Sequence, residues 1–148
     1  MDRALKDVFI PSLRERGFTG SYPHFRRRGA ERIDYLSIQF SQSGGKFCVE
    51  IARSGPDGVT TGSFRDRPIA KLNVTYFHNR HRLGSNPPAG QSDHWYVFAP
   101  PSYGGATQGL SADEIARMVL ADYDAQADAW LEDETVRPPA GRPPSAIG

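Results

Sequence analysis

The chain has one cysteine, two methionines and two tryptophans among its 148 residues. A single thiol excludes an internal disulfide and agrees with a reducing compartment. No apolar stretch approaches the roughly 20 residues a membrane-spanning helix needs, so no membrane partner is expected. The opening Met1-Asp2-Arg3-Ala4-Leu5-Lys6-Asp7 carries charge where a signal peptide carries its apolar core, and the expected location is the cytoplasm. Motifs that bear chemistry are equally scarce. There is no CxxC pair, no HExxH helix and no G-x-S-x-G elbow, and the glycines Gly104, Gly105 and Gly109 are not followed by Lys-Ser/Thr. His24, His78, His81 and His94 show no metal-ligand spacing, and Cys48 has Glu50 next but one, which opposes a reactive thiolate. No cofactor and no metal are expected, and the reading leans away from an enzyme.

What is present begins with a divided charge. The net charge is +1, yet residues 1–82 hold 15 Lys/Arg against 8 Asp/Glu, while residues 83–148 hold 3 against 9. An acidic C-terminal helix lying against basic strands would cancel much of both fields. The other reading, a basic surface for nucleic acid, rests on Arg26-Arg27-Arg28, but on a strand only Arg26 and Arg28 share a face.

The organising stretch is Ile33 to Ala52, two alternating runs joined by Ser43-Gly44-Gly45, the pattern of a β-hairpin. Its register sets Leu36 opposite Ile51, Ile38 opposite Val49 and Phe40 opposite Phe47, all on one face. The other face then carries Ser37, Gln39, Ser41, Cys48, Glu50 and Ala52, and is expected to be half wet. The apolar phase slips near Tyr35-Leu36, which predicts either a bulge or cover on both faces at that end.

Around the hairpin, Leu5, Val8, Phe9 and Leu13 predict an amphipathic helix over 2–16, stopped by Gly17 and kinked or shortened at Pro11. His24 to Arg28 predicts a strand, turned by Gly29-Ala30 so that Arg28 faces Glu31. Leu72, Val74 and Tyr76 alternate as a fourth strand, and His94 to Phe98 as a fifth. Ser111-Ala112-Asp113-Glu114 is a capping box opening a helix to about Glu132, with Ile115, Val119, Tyr123, Gln126 or Ala127, and Trp130 on one stripe. Residues 1–134 read as a single α+β domain: an antiparallel meander of about five strands with an N-terminal and a C-terminal helix packed on it. Residues 135–148 read as a Pro-rich disordered tail.

The helix, Gly17-Phe18, the Phe25-Arg26-Arg27 strand, the hairpin, Arg82-Leu83-Gly84, Asp93-His94-Trp95-Tyr96 and the capped final helix resemble the bacterial single-domain proteins grouped as domain of unknown function 4304, over about residues 2–133. The resemblance implies an α+β fold with a meandering antiparallel sheet, and a bacterial source; it brings no activity, ligand or catalytic residue.

The functional expectation is a non-enzymatic module that binds a protein partner through the wet sheet face and its edge, with Ser37, Gln39, Ser41, Glu50, Arg26 and Arg28 as contact residues. The specific form, by analogy, is an immunity protein that neutralises a toxin. One alternative is a nucleic-acid binder through the Arg26–Arg28 strand. Another is a small hydrolase pairing Asp34 or Asp93 with His24 or His94, which requires those side chains to converge in a cleft.

Overall fold

The structure is a computed structural model that describes residues 1–100 and 109–133. Helix α1 covers residues 2–15 and passes through Pro11 without ending. Proline lacks the N–H that an interior turn uses, and its ring crowds the carbonyl four residues back. Here the turn Leu5–Phe9 just before it is widened to π geometry, with the Ile10 N–H bonded to Leu5 O, so the expected kink is absorbed. At its end Gly17, at φ +92°, forms a Schellman cap: the Gly17 N–H meets Arg14 O at 3.1 Å and the Phe18 N–H meets Leu13 O at 3.0 Å.

The sheet is antiparallel and runs β1 (Thr19–Ser21), β2 (His24–Arg28), β3 (Ile33–Phe40), β4 (Lys46–Ser54) and β5 (His81–Arg82) in sequential order, with β6 (Tyr96–Val97) also paired to β4. Helix α2 (Ala112–Glu132) follows, opened by the reciprocal Ser111–Glu114 capping box. This is the expected α+β meander with a helix at each end. The hairpin register is as expected, Leu36 with Ile51, Ile38 with Val49 and Phe40 with Phe47, and the two phenylalanine rings lie 5.4 Å apart. Both helices pack on that face, where Leu5, Phe9, Leu13, Phe25, Val119 and Tyr123 join the core.

Several elements depart from expectation. The β2–β3 turn sits one residue further on: Arg28 faces Ile33, and the Gly29 N–H donates to Arg32 O at 2.8 Å, leaving Ala30-Glu31 at the tip. Pairing runs unbroken through Tyr35 and Leu36, so the phase slip is cover on both faces, with Ile33, Tyr35, Ala52, Leu72 and Val74 forming a second small core. Leu72 to Tyr76 is not a strand. Residues Ile69–Lys71 and Val74–Tyr76 make single 3-10 turns that fold across the second face, and Asn73 Oδ1 accepts from the Thr75 N–H at 2.9 Å, a local bond that competes with a strand ladder. The fifth strand shrinks to Tyr96–Val97, and β1 was not expected. The expected tail at 135–148 and most of the Pro100–Gly109 loop lie outside the described residues.

The two halves of the charge meet. Arg16 pairs with Asp124, and Arg27 reaches Asp128 at 2.9 Å, which ties acidic α2 to the basic strands.

Candidate functional site

Because side chains alternate, the second sheet face receives one polar group from each of four neighbouring strands in a single row. His24 pairs with Ser37, Ser37 with Glu50, and Glu50 with Arg82. His24 Nδ1 and Ser37 Oγ lie 2.7 Å apart, and Arg82 Nη2 donates to Glu50 Oε2 at 3.3 Å. Arg80 also reaches Glu50, at 3.8 Å. The face is drier than alternation alone predicts: Ser37 is 4% exposed and Glu50 8%, while Cys48 and Ala52 are fully buried. Residues 69–77 cover Ala52 and flank Ser37, and Arg80 and Arg82 lie against Glu50. Burial holds His24 toward its neutral form, its pKa lying below the ordinary histidine value, and pushes the Cys48 thiol up to about 11.

At the β1–β2 end of this row a cleft of about 390 Å³ opens between the sheet and Val74-Thr75. Tyr22, Pro23, Phe40 and Val74 supply its apolar walls, and His24, Ser37 and Gln39 its polar floor. The Tyr22 hydroxyl donates to Asp2 Oδ1 at 2.6 Å, and its pKa is raised by burial and by that carboxylate. At the other end of the row, Trp95 lies between Lys46, 4.6 Å from the ring, and Arg82, 4.9 Å from it. Arg82 also holds Asp93 at 2.5 Å.

The expected contact residues divide accordingly. Ser37 and Gln39 come together in the cleft, and Gln39 is exposed. Ser41 is half-buried, its hydroxyl accepting from the Ser43 N–H at 3.1 Å. Glu50 lies beneath the surface in its arginine pairs. Arg26 donates to Ala70 O at 3.3 Å, and Arg28 is exposed. Arg27 points the other way and bonds Asp34 at 2.9 Å, which leaves two arginines of the three on the proposed nucleic-acid face.

The hydrolase pairs do not assemble. Asp34 faces the helices between Arg27 and Arg32, on the side of the sheet opposite His24. Asp93 is held by Arg82, and His94 packs edge-on against Tyr96. Among the described residues no three His, Cys, Asp or Glu side chains gather as a metal site, and no helix is long and apolar enough to cross a membrane. Sequence reasoning placed Tyr22 beside His24 in the basic aromatic stretch of the arginine strand but missed Pro23 next to it, and missed Asp2 and Thr75, which reach the cleft from distant segments. The His24–Ser37 contact, by contrast, follows from extending the strand register by one hairpin.

A family model described as "Domain of unknown function (DUF4304)" matches residues 9–132. The chain belongs to this family. That span takes in the second half of α1, the whole sheet and all of α2, and so includes every residue of the polar row. No curated protein and no solved structure matches the chain.

Proposed function

We propose that this family member is a binding module without catalytic activity, cytoplasmic and bacterial, that holds a protein partner on the second sheet face. Gln39, Ser41, Arg26 and Arg28 form the contact rim, with Ser37 and Glu50 fixing the strands beneath. The observation that carries the reading is the division of labour on that face. The groups with chemical potential, His24, Ser37, Glu50 and Arg82, are paired with one another, whereas Gln39 is exposed at an open cleft and Arg28 is exposed at the far end of β2. A rigid, internally satisfied floor with polar groups at its rim suits recognition, since little ordering remains to be done on binding. The finer form of the proposal is an immunity protein, its partner a toxin that it blocks.

Affinity capture from the host tests this, comparing the natural chain with Gln39→Arg and Arg28→Glu, and with Arg117→Glu on α2 as the control. A partner lost with the two face variants and kept with the control supports the reading. A partner set indifferent to all three sinks it. The immunity form further requires that co-expression rescue growth from the captured protein's toxicity.

A further inference from the structure

We infer that the cleft beside His24 is a small-molecule site for an uncharged, planar ligand that carries a hydrogen-bond donor and acceptor side by side, the amide or lactam edge found in nucleobases and in nicotinamide. Its volume of about 390 Å³ lies within the range of small-ligand pockets. Two aromatic rings, Tyr22 and Phe40, together with Pro23 and Val74, give it walls that favour a flat ring over a flexible chain.

The polar groups decide the rest, because most are already engaged. Tyr22 is bonded to Asp2, Ser37 to His24, and the Thr75 hydroxyl to Asn73 Oδ1 at 2.5 Å. Among the described residues, the Gln39 amide and His24 Nε2 are left without an internal partner. A glutamine amide presents one donor and one acceptor in a plane, and its complement is an acceptor beside a donor. His24 adds a group of either kind: when the Ser37 hydroxyl donates to Nδ1, Nε2 carries the proton, and when the hydroxyl turns, Nε2 accepts. The Asp2 carboxylate lines the cleft and stands against an anion, while its bond to the Tyr22 hydroxyl and the nearby Lys6, 4.8 Å over the Tyr22 ring, reduce its pull on a cation.

The inference goes beyond protein binding and needs no partner, since the isolated chain is titrated. Nicotinamide, uracil and nicotinate are added to ¹⁵N-labelled protein at millimolar concentration, and backbone shifts are followed. Nicotinamide and uracil are expected to move signals at Tyr22, His24, Gln39 and Thr75. Nicotinate, the same ring with a carboxylate, is expected to leave them in place. Gln39→Met should weaken nicotinamide at least about tenfold, a loss of about 1.4 kcal/mol, with its urea midpoint unchanged because the side chain is exposed. Silence from both neutral probes, equal shifts with nicotinate, or undiminished binding to Gln39→Met in a folded protein would each overturn the assignment.

Discussion

Asp34 is a carboxylate 3% exposed on the helix side of the sheet, and it survives there because Arg27 and Arg32 supply donors at 2.9 and 2.8 Å. Removing its charge leaves Arg27 half-compensated, with Asp128 alone. Asp34→Ala is expected to cost about 3 kcal/mol in urea unfolding, the lower end for a broken buried pair. The double variant Arg27→Met/Asp34→Leu should recover part of that loss, since the Arg32 and Asp128 charges it leaves unpaired are both open to solvent, whereas Asp34→Ala alone strands the less exposed Arg27. Cys48 makes a prediction of opposite character. Its burial raises the thiol from 9.0 to about 11, so the folded chain should resist iodoacetamide at pH 8 and react fully once unfolded. The linkage has a definite sign: below pH 9 the thiol is protonated in both states, and between about 9 and 11 only the unfolded chain ionises, so stability falls as pH rises through that window. Cys48→Ala should flatten the fall. For His24 the direction reverses. Its folded pKa is lowered by burial, so the unfolded chain takes up the proton first and stability falls as pH drops through the ordinary histidine value of 6.5. A pH series of urea midpoints in which His24→Gln keeps the full acid slope would refute that account.

At the scale of elements, the same residues explain what the sequence made legible and what it hid. Helix α2 was readable because its start is written locally: the Ser111 hydroxyl accepts from the Glu114 N–H at 3.1 Å, and Glu114 reaches back to the Ser111 N–H at the same distance. Ser111→Ala should therefore destabilise by about 1 kcal/mol, seen as a lower urea midpoint with helix content retained. The β3–β4 hairpin was readable for a similar reason, since period-two alternation and the Gly44-Gly45 loop name both the face and the register. The segment Leu72 to Tyr76 carries the same alternation, yet Asn73 spends its side chain on Thr75 and the chain turns instead; alternation reports a buried side, not a paired backbone. The wetness of the second face was illegible because its cover arrives from some 20 residues downstream. Of the candidate site, the row His24, Ser37, Glu50 was within reach of the register and Tyr22 lay beside it in sequence, but the walls supplied by Asp2 and Val74-Thr75 were not. Gly84 shows the same limit. It lies at φ +84°, and a Cβ there would sit 2.4 Å from the His94 ring. Gly84→Ala is expected to destabilise through both backbone strain and that contact, and His94→Ala in the same chain should relieve the contact alone.

On the scale of the molecule, β5 and β6 are two pieces of one edge strand interrupted by an excursion. Arg82 faces Glu50 and Tyr96 faces Phe47, so only Cys48 and Val49 of β4 lie between the two pairings, while residues 83–95 lie between them on the other side. The Leu83 N–H already bonds Val49 O at 2.9 Å and carries the ladder one step on. The chain then leaves at Gly84 and returns at Trp95, whose ring is held between Lys46 and Arg82. Gln126 of α2 secures the point of departure, accepting from the Gly84 N–H at 2.9 Å and donating to Ser85 O at 3.1 Å. If the excursion is an insertion in an otherwise continuous strand, excising residues 85–95 joins Gly84 to Tyr96 and keeps every retained pairing in register, with Gly84 opposite Cys48. The shortened chain is expected to fold, with circular dichroism like that of the parent and a lowered melting temperature, because Trp95, His94 and the Gln126–Ser85 bond are lost. Hydrogen exchange at Val49 and Phe47 should remain slow, since both keep their partners. Fast exchange there in a chain that is otherwise folded would mean that the excursion itself holds the edge in place, and that β5 and β6 are separate attachments to β4.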